Sequence, residues 1–303
     1  MIKFLQGNVF EKVKELDDNS IDCVVTSPPY WGLRDYGVHG QLGLESTYQE
    51  HIKNIVKLFR AIKPKLKDSA TIWLNYGDSY SSGKRTSTTN QTLRGNKNYG
   101  VTRTPIQEGI KEKDLIMIPN RIAIALQDDG WWIRSEIIWH KPNPMPESVR
   151  DRPTSCHEKI WLITKSKKYY YDAETIKEQA TGRIAGNKKP QKGTDQKFSE
   201  TKQGLLKAQQ KPYYFKNKRN VWTITTKPFK DAHFATFPKD LIEPCIKAGC
   251  PENGTVLDPF GGSGTTAIVA VENNRNAILI ELNKKYIDIA KKRIVNELGL
   301  FNK

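Results

Sequence analysis

Short apolar runs alternate with longer amphipathic stretches along this chain, and the alternation predicts its elements. Ile2–Gln6 reads as a strand closed by Gly7-Asn8, and 9–16 as a short helix with Val9, Val13 and Leu16 on one face. The run 21–25, Ile-Asp-Cys-Val-Val, has the near-continuous apolar character of a buried parallel strand. Residues 48–63 keep a helical period whose buried stripe is Ile52, Ile55, Val56 and Phe59. Pro64 ends that helix, because the residue before a proline is pushed out of the helical region. Further strands are predicted over 70–75, 131–139, 160–163, 255–257 and 276–280. Further helices are predicted over 115–126, 241–248 and 286–298, with another beginning after the glycines near 262. Strands and helices alternating at these lengths imply an α/β fold: a doubly wound, mostly parallel, Rossmann-like sheet with right-handed crossovers.

Two stretches break the rhythm. Residues 79–113 and 177–218 are polar, rich in Lys, Thr, Asn and Gly, and carry no apolar period. Such composition does not bury enough apolar surface to order itself alone. It fits either plain loops or segments that order on nucleic acid, with lysines on phosphates and Arg, Asn and Gln at base edges. In the second stretch, Tyr213-Tyr214-Phe215 is followed by Lys216, Lys218 and Arg219, so that rings and charge interleave.

Charge sharpens that choice. The 303 residues carry a formal net charge of +16, which favours a polyanionic partner. Nucleic acid is the natural one, since each neutralised phosphate releases counterions. The four cysteines, Cys23, Cys156, Cys245 and Cys250, lack zinc-binding spacing, so no metal is expected. No signal-peptide pattern or membrane-length apolar run is present, and an intracellular, cytoplasmic protein is expected.

The candidate chemistry sits at two strand ends. After 21–25 comes Thr26-Ser27-Pro28-Pro29-Tyr30. Neither proline has an N–H to donate to a ladder, so the strand stops abruptly. It stops at a carboxyl end, where open α/β sheets bind their ligands. A hydroxyl, two rigid carbonyls and a ring suit a planar base bearing an amino group, with oxygens accepting its N–H bonds and the ring on its face. A bare strand-to-loop exit would carry the same residues. The second end is Thr255-Val256-Leu257-Asp258-Pro259-Phe260-Gly261-Gly262-Ser263-Gly264-Thr265-Thr266. Glycines there allow close backbone approach to a ligand, and the helix that follows offers free N–H groups to an anion. The loop lacks the Lys-Ser/Thr of a P-loop and the Gly-x-Gly-x-x-Gly spacing of dinucleotide sites. Glu281, at the tip of the next strand, stands near the offset at which an acidic residue takes ribose hydroxyls, and Asp258 adds a second carboxylate. An ammonium, a carboxylate, a ribose and an adenine would satisfy this set, which is the inventory of S-adenosyl-L-methionine.

Together, Ser27-Pro28-Pro29-Tyr30 and the Phe260-x-Gly262-x-Gly264 loop resemble the amino-group DNA methyltransferases that modify cytosine N4 or adenine N6. The order, catalytic motif first and cofactor loop last, resembles the β class. Trp139-His140-Lys141-Pro142, Arg152-Pro153-Thr154 with His157-Glu158, and 233–238 with Leu241 also match family segments. The resemblance implies a single methyltransferase domain over 1–303, with a catalytic half 1–172, a cofactor half 228–303, a polar insertion 79–113 and a target-recognition region 173–227. It implies that Ser27 Oγ and the Pro28 carbonyl accept the amine hydrogens of a flipped base, that Pro29 shapes the loop and that Tyr30 stacks. It further implies cofactor binding by Asp258, Phe260, Gly262, Gly264, Thr265 and Glu281, with Asp258 holding the methionine ammonium or orienting the loop, closure of the methionine end by Phe237-Pro238, and a place for Asn8 near the adenine. Relatives often carry Asp where Asn8 stands. Double-stranded DNA is the implied partner, a cognate restriction endonuclease a further one, and the chain could be monomer or homodimer.

Ser at position 27 favours cytosine N4, because adenine N6 enzymes more often carry Asp there, a stronger acceptor. Adenine N6 remains the alternative. An RNA or protein-glutamine methyltransferase usually places its cofactor loop first, and a non-catalytic DNA-binding protein leaves the glycine loop without a role. Pro244-Cys245 offers the dipeptide of a cytosine carbon-5 enzyme, but inside a helical run, without the exposure a nucleophilic thiol needs.

Overall fold

A computed structural model describes residues 1–33, 35–81, 109–180, 214–227 and 237–299. Most of the polar stretches, together with 233–236 of the motif before the cofactor loop, lie outside the described residues. In chain order the elements are β1 (Ile2–Gln6), α1 (Val9–Lys12), β2 (Ile21–Thr26), α2 (Tyr48–Ile62), β3 (Leu66–Tyr76), α3 (Ile118–Asp128), β4 (Trp132–His140), β5 (His157–Thr164), β6 (Glu178–Gln179), β7 (Phe215–Lys216), β8 (Val221–Thr223), α4 (Lys239–Gly249), β9 (Thr255–Asp258), α5 (Thr265–Glu272), β10 (Asn276–Glu281) and α6 (Lys284–Leu298). They form two compact units: Ala173–Arg219, and the remainder of the chain. Within the smaller unit β6 pairs with β7 in antiparallel fashion, and Tyr214 and Phe215 are exposed.

The larger unit is built on one eight-stranded sheet in the order β1-β10-β9-β2-β3-β5-β4-β8. Only β5 runs against its neighbours; the other pairings are parallel. The mostly parallel, doubly wound sheet expected from the alternation is therefore present. Strand alternation divides its side chains between two faces. Val24, Ile72, Leu74 and Leu257 join α2 and α3 residues in one core. On the other face α4 packs over β3, where a Cβ on Gly249 would stand 2.3 Å from both Thr71 Oγ1 and Trp73 Nε1.

Several element limits differ from expectation for local reasons. Helix α2 begins at Tyr48 as expected, one residue past Thr47, whose side chain caps the Glu50 N–H, but it ends at Ile62. Its buried stripe is Ile55, Leu58, Phe59 and Ile62, rotated from the predicted one; Ile52 and Val56 are only partly buried. Each of those four burials stabilises the fold by roughly 1.5–3 kcal/mol. Helix α3 starts at Ile118 rather than 115, because Leu115 pairs with Tyr80 and Met117 turns left-handed at φ 62. Pro119 then falls in the first turn, where its missing N–H costs nothing. Strand β3 runs from Leu66, four residues earlier than predicted, since Leu66 aligns with Ile21.

Candidate active site

Strands β2 and β9 are neighbours, with Cys23 opposite Val256 and Val24 opposite Leu257. The connection through α2 carries the chain from β2 to β3 on one side, and that through α5 carries it from β9 to β10 on the other. A crevice must open where the winding diverges, beyond the carboxyl ends of these two strands. The two sequence-predicted tips meet there, although they are over two hundred residues apart. Thr26 Oγ1 donates to Asp258 Oδ1 at 2.9 Å and ties one tip to the other.

Asp258 is buried, and its second oxygen accepts from Thr266 Oγ1 at 2.6 Å, while Oδ1 also accepts from the Phe260 N–H at 3.0 Å. Burial pushes its carboxyl up to about 6, against the lowering effect of these hydrogen bonds. The carboxylate thus joins β2, the glycine turn and the start of α5, and it stands behind the crevice wall. Glu281 faces the crevice. Its Oε2 accepts from the Gly262 N–H at 2.9 Å and its Oε1 from the Asn283 N–H at 2.8 Å. Burial raises its carboxyl. A carboxylate offers about four acceptor positions, so acceptor capacity remains for a ligand's hydroxyl.

The crevice brings together Ser27 and Pro29 from the first tip, Phe260 and Gly262 from the second, and Glu281 and Asn8 beside them. Asn8 Oδ1 caps α1 by accepting from the Phe10 N–H at 2.9 Å. Other predicted residues stand off the wall. Pro28 is buried. Gly264 caps α5 at φ 80 and backs onto Ala290 of α6, and Thr265 is buried with its hydroxyl accepting from Arg293. Phe237 is half-buried and Pro238 is buried at the start of α4. Cys245 is buried within α4, its thiol directed to the Leu241 carbonyl.

Tyr30 lies against Tyr76, ring centroids 4.5 Å apart, and its hydroxyl enters a polar cluster. It donates to Glu158 Oε2 at 2.8 Å and receives a hydrogen bond from Ser27 Oγ at 3.3 Å. Asn75 Nδ2 also donates to Glu158 Oε2, at 3.1 Å, and Lys141 pairs with Oε1. Burial, then the nearby Glu158 charge, hold the Tyr30 phenol well above its usual range. The family segments around 139–142 and 152–158, which had no assigned role, thus deliver Lys141 and Glu158 to the Ser-Pro-Pro-Tyr loop. Beneath it, Tyr76 Oη accepts from the Trp31 N–H at 2.8 Å and meets His51 Nε2 at 2.8 Å, and His51 Nδ1 meets Glu45 Oε2 at 2.8 Å. Nothing in the spacing of 31–51 announces this support; only the fold aligns it.

A family model described as DNA methylase matches residues 21–292, the span from β2 through most of α6. The chain belongs to the N6/N4 DNA methylase family. It is 48% identical over 296 residues to the Type II methyltransferase M.SmaI of Serratia marcescens, covering 97% of this chain and 90% of that one. It is 44% identical to M.Cfr9I of Citrobacter freundii, covering 96% and 87%. Among solved structures, the PvuII cytosine-N4-specific DNA methyltransferase superposes with a TM-score of 0.63 at 17% identity, covering 98% of this chain and 91% of that one. A Thermus thermophilus protein described as a DNA modification methylase, solved with S-adenosyl-L-methionine, gives a TM-score of 0.60 at 21% identity, covering 99% and 98%. The fold is therefore that of this methylase family.

The family's methyl donor is S-adenosyl-L-methionine, and the crevice fits it. At Gly262, with φ 47, no atom lies closer than 3.8 Å to where a Cβ would stand, so the wall is open at the point where a ligand must approach the backbone. The acceptor positions of Glu281 suit a ribose, and Phe260 and Tyr286 supply apolar wall. Gly7, Gln41, Asn283 and Tyr286 also line the crevice without having been singled out from the sequence. Asn283 could have been, since it caps α6 directly after the acidic tip. Among the described residues no helix is long and apolar enough to cross a membrane.

Proposed function

We propose that this DNA methylase transfers a methyl group to the exocyclic N4 amine of cytosine in double-stranded DNA, on a base flipped into the crevice. One observation carries the reading: the Thr26–Asp258 hydrogen bond holds Ser27 on the same wall as Gly262 and Glu281. An amine acceptor and a cofactor cradle then face one space. The bound cofactor supplies an electrophilic methyl. Glu281 would hold its ribose hydroxyls, Phe260 and the Gly262 backbone would line its length, Asn8 would lie at the adenine, and Phe237-Pro238 would close the methionine end from beyond the wall. Asp258, Gly264 and Thr265 act from behind by fixing the turn.

On the base side, the amine lone pair is delocalised into the ring, so the site must draw it out and aim it. Ser27 Oγ and the Pro28 carbonyl accept the two amine hydrogens, Pro29 keeps the loop rigid, and Tyr30 presents its face to the base. Orientation of this kind supplies much of an acceleration. Flipping costs a few kcal/mol of stacking, offset by pocket contacts. Serine rather than aspartate at position 27 favours cytosine, as does the resemblance to the cytosine-N4-specific PvuII enzyme. The Type II relatives support a cognate restriction endonuclease acting on the same site inside the cell.

The test uses cells expressing the chain, with digestion of their DNA and nucleoside mass spectrometry. N4-methylcytosine is the expected product, and N6-methyladenine would reassign the base. In purified protein, Ser27→Ala and Tyr30→Ala each lower transfer by roughly 10²-fold or more while cofactor affinity is retained. Normal transfer in both variants overturns the site.

A further inference from the structure

The cluster around Tyr30 has a directionality that substrate positioning alone does not require. Ser27 Oγ donates to Tyr30 Oη at 3.3 Å, and Tyr30 Oη donates to Glu158 Oε2 at 2.8 Å. Glu158 in turn is held by Lys141 and Asn75, and its side chain retains 17% exposure, an outlet to solvent. With its own hydrogen committed to Tyr30, the Ser27 oxygen keeps its lone pairs for an incoming N–H. A phenylalanine at position 30 would stack on Tyr76 equally well. The hydroxyl is thus surplus to stacking and is placed in line between the serine and the carboxylate.

We propose that Ser27, Tyr30 and Glu158 form a proton relay that carries the amine proton from the target base to solvent. This rests on the amino-methyltransferase reading above. As the amine lone pair forms the N–CH₃ bond and the sulfur–methyl bond breaks, leaving its electron pair on sulfur, the amine N–H proton moves to Ser27 Oγ. The Ser27 proton passes to Tyr30 Oη, and the Tyr30 proton passes to the Glu158 carboxylate. Glu158 then releases it to water, and the methylated amine is left neutral with its one remaining N–H. Ser27 is the catalytic member, touching the amine; Tyr30 in this role and Glu158 act through it. Lys141 pairs with Glu158 Oε1, and Asn75 fixes its Oε2. The long link, at 3.3 Å, is the one that base binding would compress, as catalytic hydrogen bonds often tighten only with substrate present.

The experiment uses the full chain with labelled S-adenosyl-L-methionine and genomic DNA from a host lacking it, at single turnover. Tyr30→Phe and Glu158→Gln are each expected to slow transfer about tenfold or more, with the cofactor dissociation constant within about twofold of wild type. The double variant should be no slower than the worse single one, because one path is being cut. Wild type should show a solvent deuterium isotope effect that Tyr30→Phe diminishes. Its infrared difference spectrum should show a transient carboxylic-acid carbonyl band that Glu158→Gln lacks. Wild-type transfer rates and isotope effects in Tyr30→Phe, which keeps the ring and the fold, overturn the relay while leaving the methylase reading intact. Labelled DNA from wild type without the carboxylic-acid band overturns it equally. No label in any DNA base with wild-type protein removes both.

Discussion

At the scale of single residues, the chain's informative positions divide into those that face the crevice and those that hold it. Asp258 reads in sequence as a carboxylate that holds the ligand's ammonium or orients the loop, and it is buried among two threonine hydroxyls and a backbone N–H, the loop-orienting position. Sequence places it at a strand tip; only packing turns it inward. Its burial has a measurable consequence. The folded group titrates near 6 against an ordinary 3.8, so between these values the native state binds more protons than the unfolded state. Stability should therefore fall as pH rises from about 4 to about 6, by on the order of 3 kcal/mol. Chemical denaturation at pH 4.5 and 7.5 checks this. Asp258→Asn, which does not ionise, should flatten the difference, and an unchanged pH dependence would contradict the assignment. Glu158 shows the opposite case. Its family segment was recognisable from His157-Glu158, but its role depends on a hydroxyl 128 positions away.

At the scale of elements, periodicity located nearly every strand and helix of the larger unit, because burial on a sheet enforces a period that sequence displays directly. Its errors were local. The stripe of α2 was rotated because His51, polar in any sequence reading, is buried beneath the loop, paired with Glu45 and Tyr76. Strand β3 was shortened because Lys67, Asp68 and Ser69 look like loop residues, although the strand continues through them as a bulge to Leu66, opposite Ile21. Gly249 tests how tightly α4 seats on the sheet. Helix propensity alone would favour alanine there by about 1 kcal/mol. A Cβ 2.3 Å from Thr71 Oγ1 and Trp73 Nε1, both in the sheet, reverses that preference. Gly249→Ala should lower stability by about 1–3 kcal/mol, read as a fall in the denaturant midpoint. A midpoint equal to or above wild type would show that α4 shifts freely.

At the scale of the whole molecule, net charge and sheet topology act together. A chain carrying +16 should bind duplex DNA through many phosphate contacts. If it neutralises about 6–10 phosphates, affinity should fall roughly 10³–10⁵-fold between 50 and 200 mM salt. Fluorescence anisotropy with a labelled duplex measures this, and a shallow salt slope would argue against a broad phosphate interface. The sequence by itself determined the strand-helix alternation, the two motif-bearing strand ends and their order, because these depend on local pattern and on which residue types stop a strand. The pairing of β2 with β9, the inward turn of Asp258 and the meeting of Lys141, Glu158 and Tyr30 came only with the tertiary structure. Contacts between residues remote along the chain follow from how the sheet is wound, and no local period encodes that.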